Sequence, residues 1–155
     1  MEKKIIKLIK EKNFSNCAEV IEKTNINDTI KILDNLYYND ILEICKEHNI
    51  QAGLVLSGIG SVTTAKIRDA SGVNIQTLNE KLEIVSLSGT VSLNRLHLHI
   101  ALSKTDLSMV GGHLVAGTVI NTTCELAILE LSDCIFDKEF DNQTGYNELK
   151  IITNK

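Results

Sequence analysis

Leu96-His97-Leu98-His99-Ile100-Ala101-Leu102 alternates without a break. Leu96, Leu98 and Ile100 fall on one face of an extended chain, and His97, His99 and Ala101 fall on the other. This strict period of two predicts a β-strand with one side against a core. Upstream, Leu82–Leu93 reads as a long strand interrupted by Gly89. Ala52–Leu56 and Val62–Arg68 read as two strands joined by a tight connection, Ser57-Gly58-Ile59-Gly60-Ser61, with a turn at 69–72. Downstream, Leu114–Asn121 and Cys124–Leu131 read as two more strands, and the turn residues Asn142–Gly145 precede a last one at Glu148–Thr153. Cys17–Glu22 is a short strand candidate.

Only one segment keeps a helical period. Ile30, Leu33, Tyr37, Ile41 and Ile44 recur at spacings of three and four, predicting a helix over Thr29–His48. Asn25–Asp28 offers cap residues, and His48 sits where a side chain can cap the last carbonyls. One helix on a mostly antiparallel sheet is an α+β arrangement.

The chain has 155 residues, 43% hydrophobic and 23% charged, which suits a single folded domain. Aromatics make up 4% and Trp is absent, so the core must be aliphatic. The formal net charge is −4, and only two arginines occur, Arg68 and Arg95. A protein that binds duplex DNA by neutralising phosphates normally presents a basic face, so this composition weighs against autonomous, tight DNA binding. No apolar run reaches membrane-spanning length. The start, Met1–Lys10, is basic and apolar but ends at Glu11-Lys12 with no small-residue cleavage site. It reads as an extension packed on the body, either a short amphipathic helix or an added strand. Four cysteines (Cys17, Cys45, Cys124, Cys134) without CxxC spacing suit a reducing, cytoplasmic setting.

His97, His99 and His113 carry the sharpest chemical signal. Residues i and i+2 of a strand share a face about 6.5–7 Å apart. Gly111-Gly112 would let the chain turn and deliver a third imidazole. Three neutral imidazoles with an open fourth position suit Zn²⁺ and related divalent ions. The same residues also read as a solvated strand face with a Gly-Gly hairpin turn. Glu125, in the strand after Cys124, is the candidate base for a metal-assisted hydrolase or lyase, with Ser57 and Ser61 as candidate oxygen contacts to substrate. Gly58-Ile59-Gly60-Ser61 is neither the dinucleotide fingerprint nor a P-loop, because no helix pattern opens after it, and a tight strand connection is favoured over a phosphate cradle. No G-x-S-x-G elbow is present among the serines.

Several segments in order resemble the PPC family (plants and prokaryotes conserved domain). They are Ser57–Val62, Leu82–Gly89, His97-Leu98-His99, Val110-Gly111-Gly112-His113-Leu114 with Gly117, Thr122–Glu125, and Phe140–Tyr146. The resemblance implies a compact α+β domain at 15–155, after an extension at 1–14, with a curved, mainly antiparallel sheet and a packed helix. It further implies a homotrimer, a divalent metal on His97, His99 and His113, and the DNA-binding or regulatory role assigned to the family. The chain departs from that pattern in two ways. It has no R-G-R-P core of the AT-hook that serves plant members. It also has Lys138-Glu139 where relatives often carry an Arg before the Phe-Asp pair. A small-molecule ligand or a protein partner therefore fits the acidic balance better than bare duplex, and a metal-dependent enzyme acting on a small polar substrate is the alternative.

Overall fold

The computed structural model describes residues 5–9 and 38–153. The strand expected over 17–22 and the expected helical residues 29–37 lie outside the described residues. The elements are β1 (Ile5–Ile9), α1 (Tyr38–Glu47), β2 (Gly53–Arg68), β3 (Ile75–Leu78), β4 (Leu82–Val91), β5 (Leu96–Ser103), β6 (Met109–Leu114), β7 (Val119–Glu130), β8 (Cys134–Asp141) and β9 (Tyr146–Thr153). All the strand pairings are antiparallel. The expected α+β balance thus shifts strongly toward sheet, with one short helix among the described residues.

β2 organises the molecule. At about 3.3 Å per residue, a straight strand of its 16 residues would run about 50 Å, too long for a domain of this size. Three register shifts against β7 bend it instead. β4 pairs along its first part, and β6 meets its end through Ile67↔Leu114 and Arg68↔His113. With β4–β5 and β5–β6 also paired, the order β2-β4-β5-β6 closes back on β2. β7 runs along the other edge of β2 and carries β1 outside it. The segment Ile5–Ile9 is therefore an added strand. β8 and β9 form a separate hairpin.

Three local expectations are corrected. Ser57–Ser61 is not a connection, because β2 runs through it. Gly60 takes φ 152°, and a Cβ there would overlap the Thr123 carbonyl, so only glycine lets β7 lie this close. The strand expected at 114–121 is instead split. Around the break, the buried Thr118 accepts a hydrogen bond from the Lys66 amide (3.0 Å) through its hydroxyl, replacing a ladder bond. β7 then continues unbroken through the polar Asn121-Thr122-Thr123, where the Thr122 and Ser61 hydroxyls bond each other at 2.8 Å. Finally, the last strand, expected at Glu148–Thr153, starts at Tyr146, and a strand that was not expected, Cys134–Asp141, precedes the turn.

α1 packs Ile41, Ile44 and Cys45 into the core. It ends by a Schellman motif rather than through the His48 side chain. Asn49 adopts φ 53° and its amide donates to the Lys46 carbonyl, while Ile50 donates to Cys45 at 2.7 Å. Ile50 and Cys45 are both fully buried there, giving the accompanying apolar contact. The His48 Nε2 is buried and makes no hydrogen bond. The core is aliphatic as expected, built on Leu82, Leu98, Leu102, Leu126 and Ile128, and Phe136 is the one buried aromatic among the described residues.

Candidate metal centre

β5 presents its two faces as its alternation predicts. Leu98, Ile100 and Leu102 are buried, while His97 is half-buried and His99 exposed on the other side. The third imidazole arrives by a different route from the one expected. The β5–β6 reversal lies at 104–108, where Leu107 adopts φ 66° and Asp106 accepts hydrogen bonds from the Ser108 amide (2.9 Å) and hydroxyl (2.6 Å). Gly111 and Gly112 sit inside β6, which is pressed between β5 and β2. A Cβ on Gly112 would lie 2.7 Å from the Arg68 carbonyl oxygen, and one on Gly111 would lie 2.5 Å from that of Ile100. The glycine pair therefore lets the sheet close rather than lets the chain turn. Closure makes His113 the direct cross-strand partner of His99 on one side and of Arg68 on the other. Direct partners share a face, so His113 joins His97 and His99.

The three ring centroids stand 5.1–5.4 Å apart, and one ligand nitrogen from each ring lies within 4.8 Å of the others. The Nε2 atoms of His97 and His99 are 3.3 Å apart. Ligands about 2.0–2.1 Å from a tetrahedral Zn²⁺ stand about 3.3 Å apart, so this pair already has the right spacing. The Nδ1 atom of His113 is buried without a hydrogen-bond partner, which is a costly state for a polar atom in a protein interior. Burial lowers the His113 pKa to about 4, helped by the Arg68 guanidinium and the other two histidines. His97 is also shifted down, first by burial and then by Arg95. Both rings are thus held neutral, the form a metal needs. The donor set fits a divalent cation. One adjustment is required: Arg95 donates to His97 Nδ1 at 2.9 Å, so ligation through Nε2 moves the ring proton to Nδ1 and breaks that contact.

Beside His97 and His113 opens a cavity of about 680 Å³. Its walls include both arginines of the chain, together with Lys138, Tyr146 and Glu148 from the β8–β9 hairpin. Arg95 is anchored by a 2.8 Å hydrogen bond to the Thr90 hydroxyl. Arg95 lies just before β5, two residues from His97, and no pattern in the sequence marks it for the site. No local pattern marks Arg68, which reaches the site only through closure of the sheet. Glu125, Ser57 and Ser61 do not line the cavity. Glu125 is exposed on β7, in register with Ile59 and Ile9, and Ser61 is buried against Thr122.

Fold and site together define an antiparallel β domain, with one helix among its described residues and a cluster of imidazoles at the seam of its sheet. The chain belongs to the Plants and Prokaryotes Conserved (PCC) domain family, whose profile matches residues 36–132. It is similar to a hypothetical protein of Salmonella enterica (30% identity, TM-score 0.76, covering 80% of this chain and 91% of that one). It is also similar to a Bacteroides thetaiotaomicron protein named as a candidate DNA-binding protein (27%, TM-score 0.68, 77% and 87%). A third similar structure is a metal-containing protein of Archaeoglobus fulgidus (29%, TM-score 0.61, 77% and 95%). The bifunctional protein GlmU of a Synechococcus species is 36% identical over 112 residues. That match takes in 72% of this chain but 18% of GlmU, so the chain spans less than a fifth of the curated relatives it matches.

Proposed function

We propose that this chain is a regulatory binding protein of the PCC family that holds one divalent cation, Zn²⁺ foremost, on His97, His99 and His113. The observation that carries this reading is the convergence of the three imidazoles, with ligand nitrogens within 4.8 Å of one another. The metal-containing Archaeoglobus relative supports it. A bound Zn²⁺ would supply a Lewis acid with a position open to ligand. This chain's own residues would then do the rest. His97 and His113 would stay neutral, and Arg95 with the hairpin residues Tyr146 and Glu148 would wall the approach.

The domain would run over 15–155 with 1–14 as an extension, and three copies would assemble. Exposed apolar residues on the outer face of β2 and β4 support assembly: Ile59 and Val85 are 57% and 55% exposed. The register that pairs Val55 with Gly89 and Gly60 with Ile84 sets Ile59 opposite Val85. A cytoplasmic location suits Cys45, Cys124 and Cys134, which form no disulfide. No helix among the described residues is long and apolar enough to cross a membrane. DNA enters as a partner by analogy with the Bacteroides relative, and the net charge of −4 weighs against tight duplex binding.

The cavity beside His97 and His113 favours a second reading, a metal-dependent hydrolase or lyase for a small polar substrate. Elemental analysis of tag-free protein tests the main reading. About one divalent metal per chain, lost in the His97→Ala/His99→Ala double variant, is the expected result. Protein free of metal after reconstitution would overturn it.

A further inference from the structure

The chain's only two arginines both line the cavity that opens beside the histidines. Lys138 joins them from β8, and Glu148 is the single carboxylate among the lining residues. Three cations therefore face one carboxylate, in a protein whose formal net charge is −4. Among the described residues neither guanidinium lies within ion-pairing distance of a carboxylate. Arg95 is held in place by Thr90 and His97, which use two of its five donors. Arg68 stands at the last position of β2, half-buried, and makes no side-chain hydrogen bond to a described residue. Glu148 brings one negative charge against three positive ones, and its Oε1 is also engaged by the Thr144 hydroxyl at 3.0 Å. Partly buried cations in excess of their counter-ions are unfavourable unless a ligand supplies the charge.

The geometry points to a binding site for a small oxyanion-bearing molecule, a phosphate or carboxylate, held by Arg68 and Arg95 with Lys138 at the rim. Duplex DNA fits less well. It needs cations spread over a face, and here they converge on one concavity. The inference goes beyond the metal reading and does not require it, because neither arginine belongs to the imidazole cluster.

Calorimetric titration tests it, with inorganic phosphate and with malonate as probes at constant ionic strength. Chelator-stripped protein and the same protein reloaded with Zn²⁺ are both titrated, and metal content is measured on each sample. Arg68→Gln is the deciding variant, because Arg95→Gln also disturbs His97. Lys46→Gln, on the exposed face of α1, is the control, and circular dichroism verifies the fold. The expected result is saturable binding of at least one probe, weakened about tenfold by Arg68→Gln and unchanged by Lys46→Gln. The stronger probe tells phosphate from carboxylate ligands. Anion binding by protein that retains no metal after Zn²⁺ reloading would sink the metal reading and leave this one standing. Metal without anion binding would do the reverse. Neither probe binding in either form, equal binding by Arg68→Gln, or binding of a short DNA duplex that phosphate does not compete would each overturn the inference.

Discussion

His113 shows how position rather than residue type sets chemistry. Burial, reinforced by Arg68 and the neighbouring rings, takes its pKa from 6.5 to about 4. The unfolded chain then binds the proton more tightly than the folded one. Stability of metal-stripped protein should therefore fall as the pH drops through about 6.5 toward about 4. Urea denaturation at neutral pH and near pH 5 measures this. His113→Gln should lose less stability on acidification than the native protein, and an equal loss would show that His113 is not the group involved. At this scale the sequence was legible where chemistry followed local spacing. His97 and His99 could be paired because residues two apart in a strand share a face. His113 was legible as a third histidine, but the Gly-Gly pair before it suggested a turn where the structure has a seam. Arg68 was not legible, because its nearness to His113 depends on a pairing 45 positions away in sequence.

Among the elements, β2 and β6 decide whether the site exists. The cross-strand contact Arg68↔His113 requires β6 to approach β2 without a side chain at Gly112. Gly112→Val should force the strands apart, destabilise the fold by about 1–3 kcal/mol, and reduce metal uptake with it. Thermal unfolding and metal content measured on one preparation check this. Native stability and native metal content together would show that closure does not position His113. The alternating strand β5 was readable because only one of its faces is buried. β2 was harder, since its bulges and Gly60 look in sequence like the end of one strand and the start of another. The β8–β9 hairpin was half-hidden for a related reason. Its strands leave Phe140, Tyr146 and Ile151 exposed, so no buried face imposes a clear alternation.

For the molecule as a whole, composition bounded the answer well. Few aromatics implied an aliphatic core, and the structure has one. The net charge implied no broad basic face, while the few cations that matter are gathered in one cavity. The α+β reading holds in part: the described residues are mostly antiparallel strand, with one helix, α1, of ten residues. Assembly belongs to this scale too. If the exposed Ile59–Val85 face is a subunit contact, Ile59→Glu should convert a trimer to a folded monomer, because burying an unpaired carboxylate there is costly. Light scattering after size exclusion would show it, and a variant that stays trimeric would place the interface elsewhere.

The three-histidine centre is the central claim, and Co²⁺ titration of stripped protein, followed by visible absorption, tests it most directly. The account predicts saturation at about one Co²⁺ per chain, with the intense bands of a low-coordinate nitrogen site. His113→Ala should abolish or shift those bands. A spectrum no different from that of the hydrated ion, or one unchanged by His113→Ala, would contradict it.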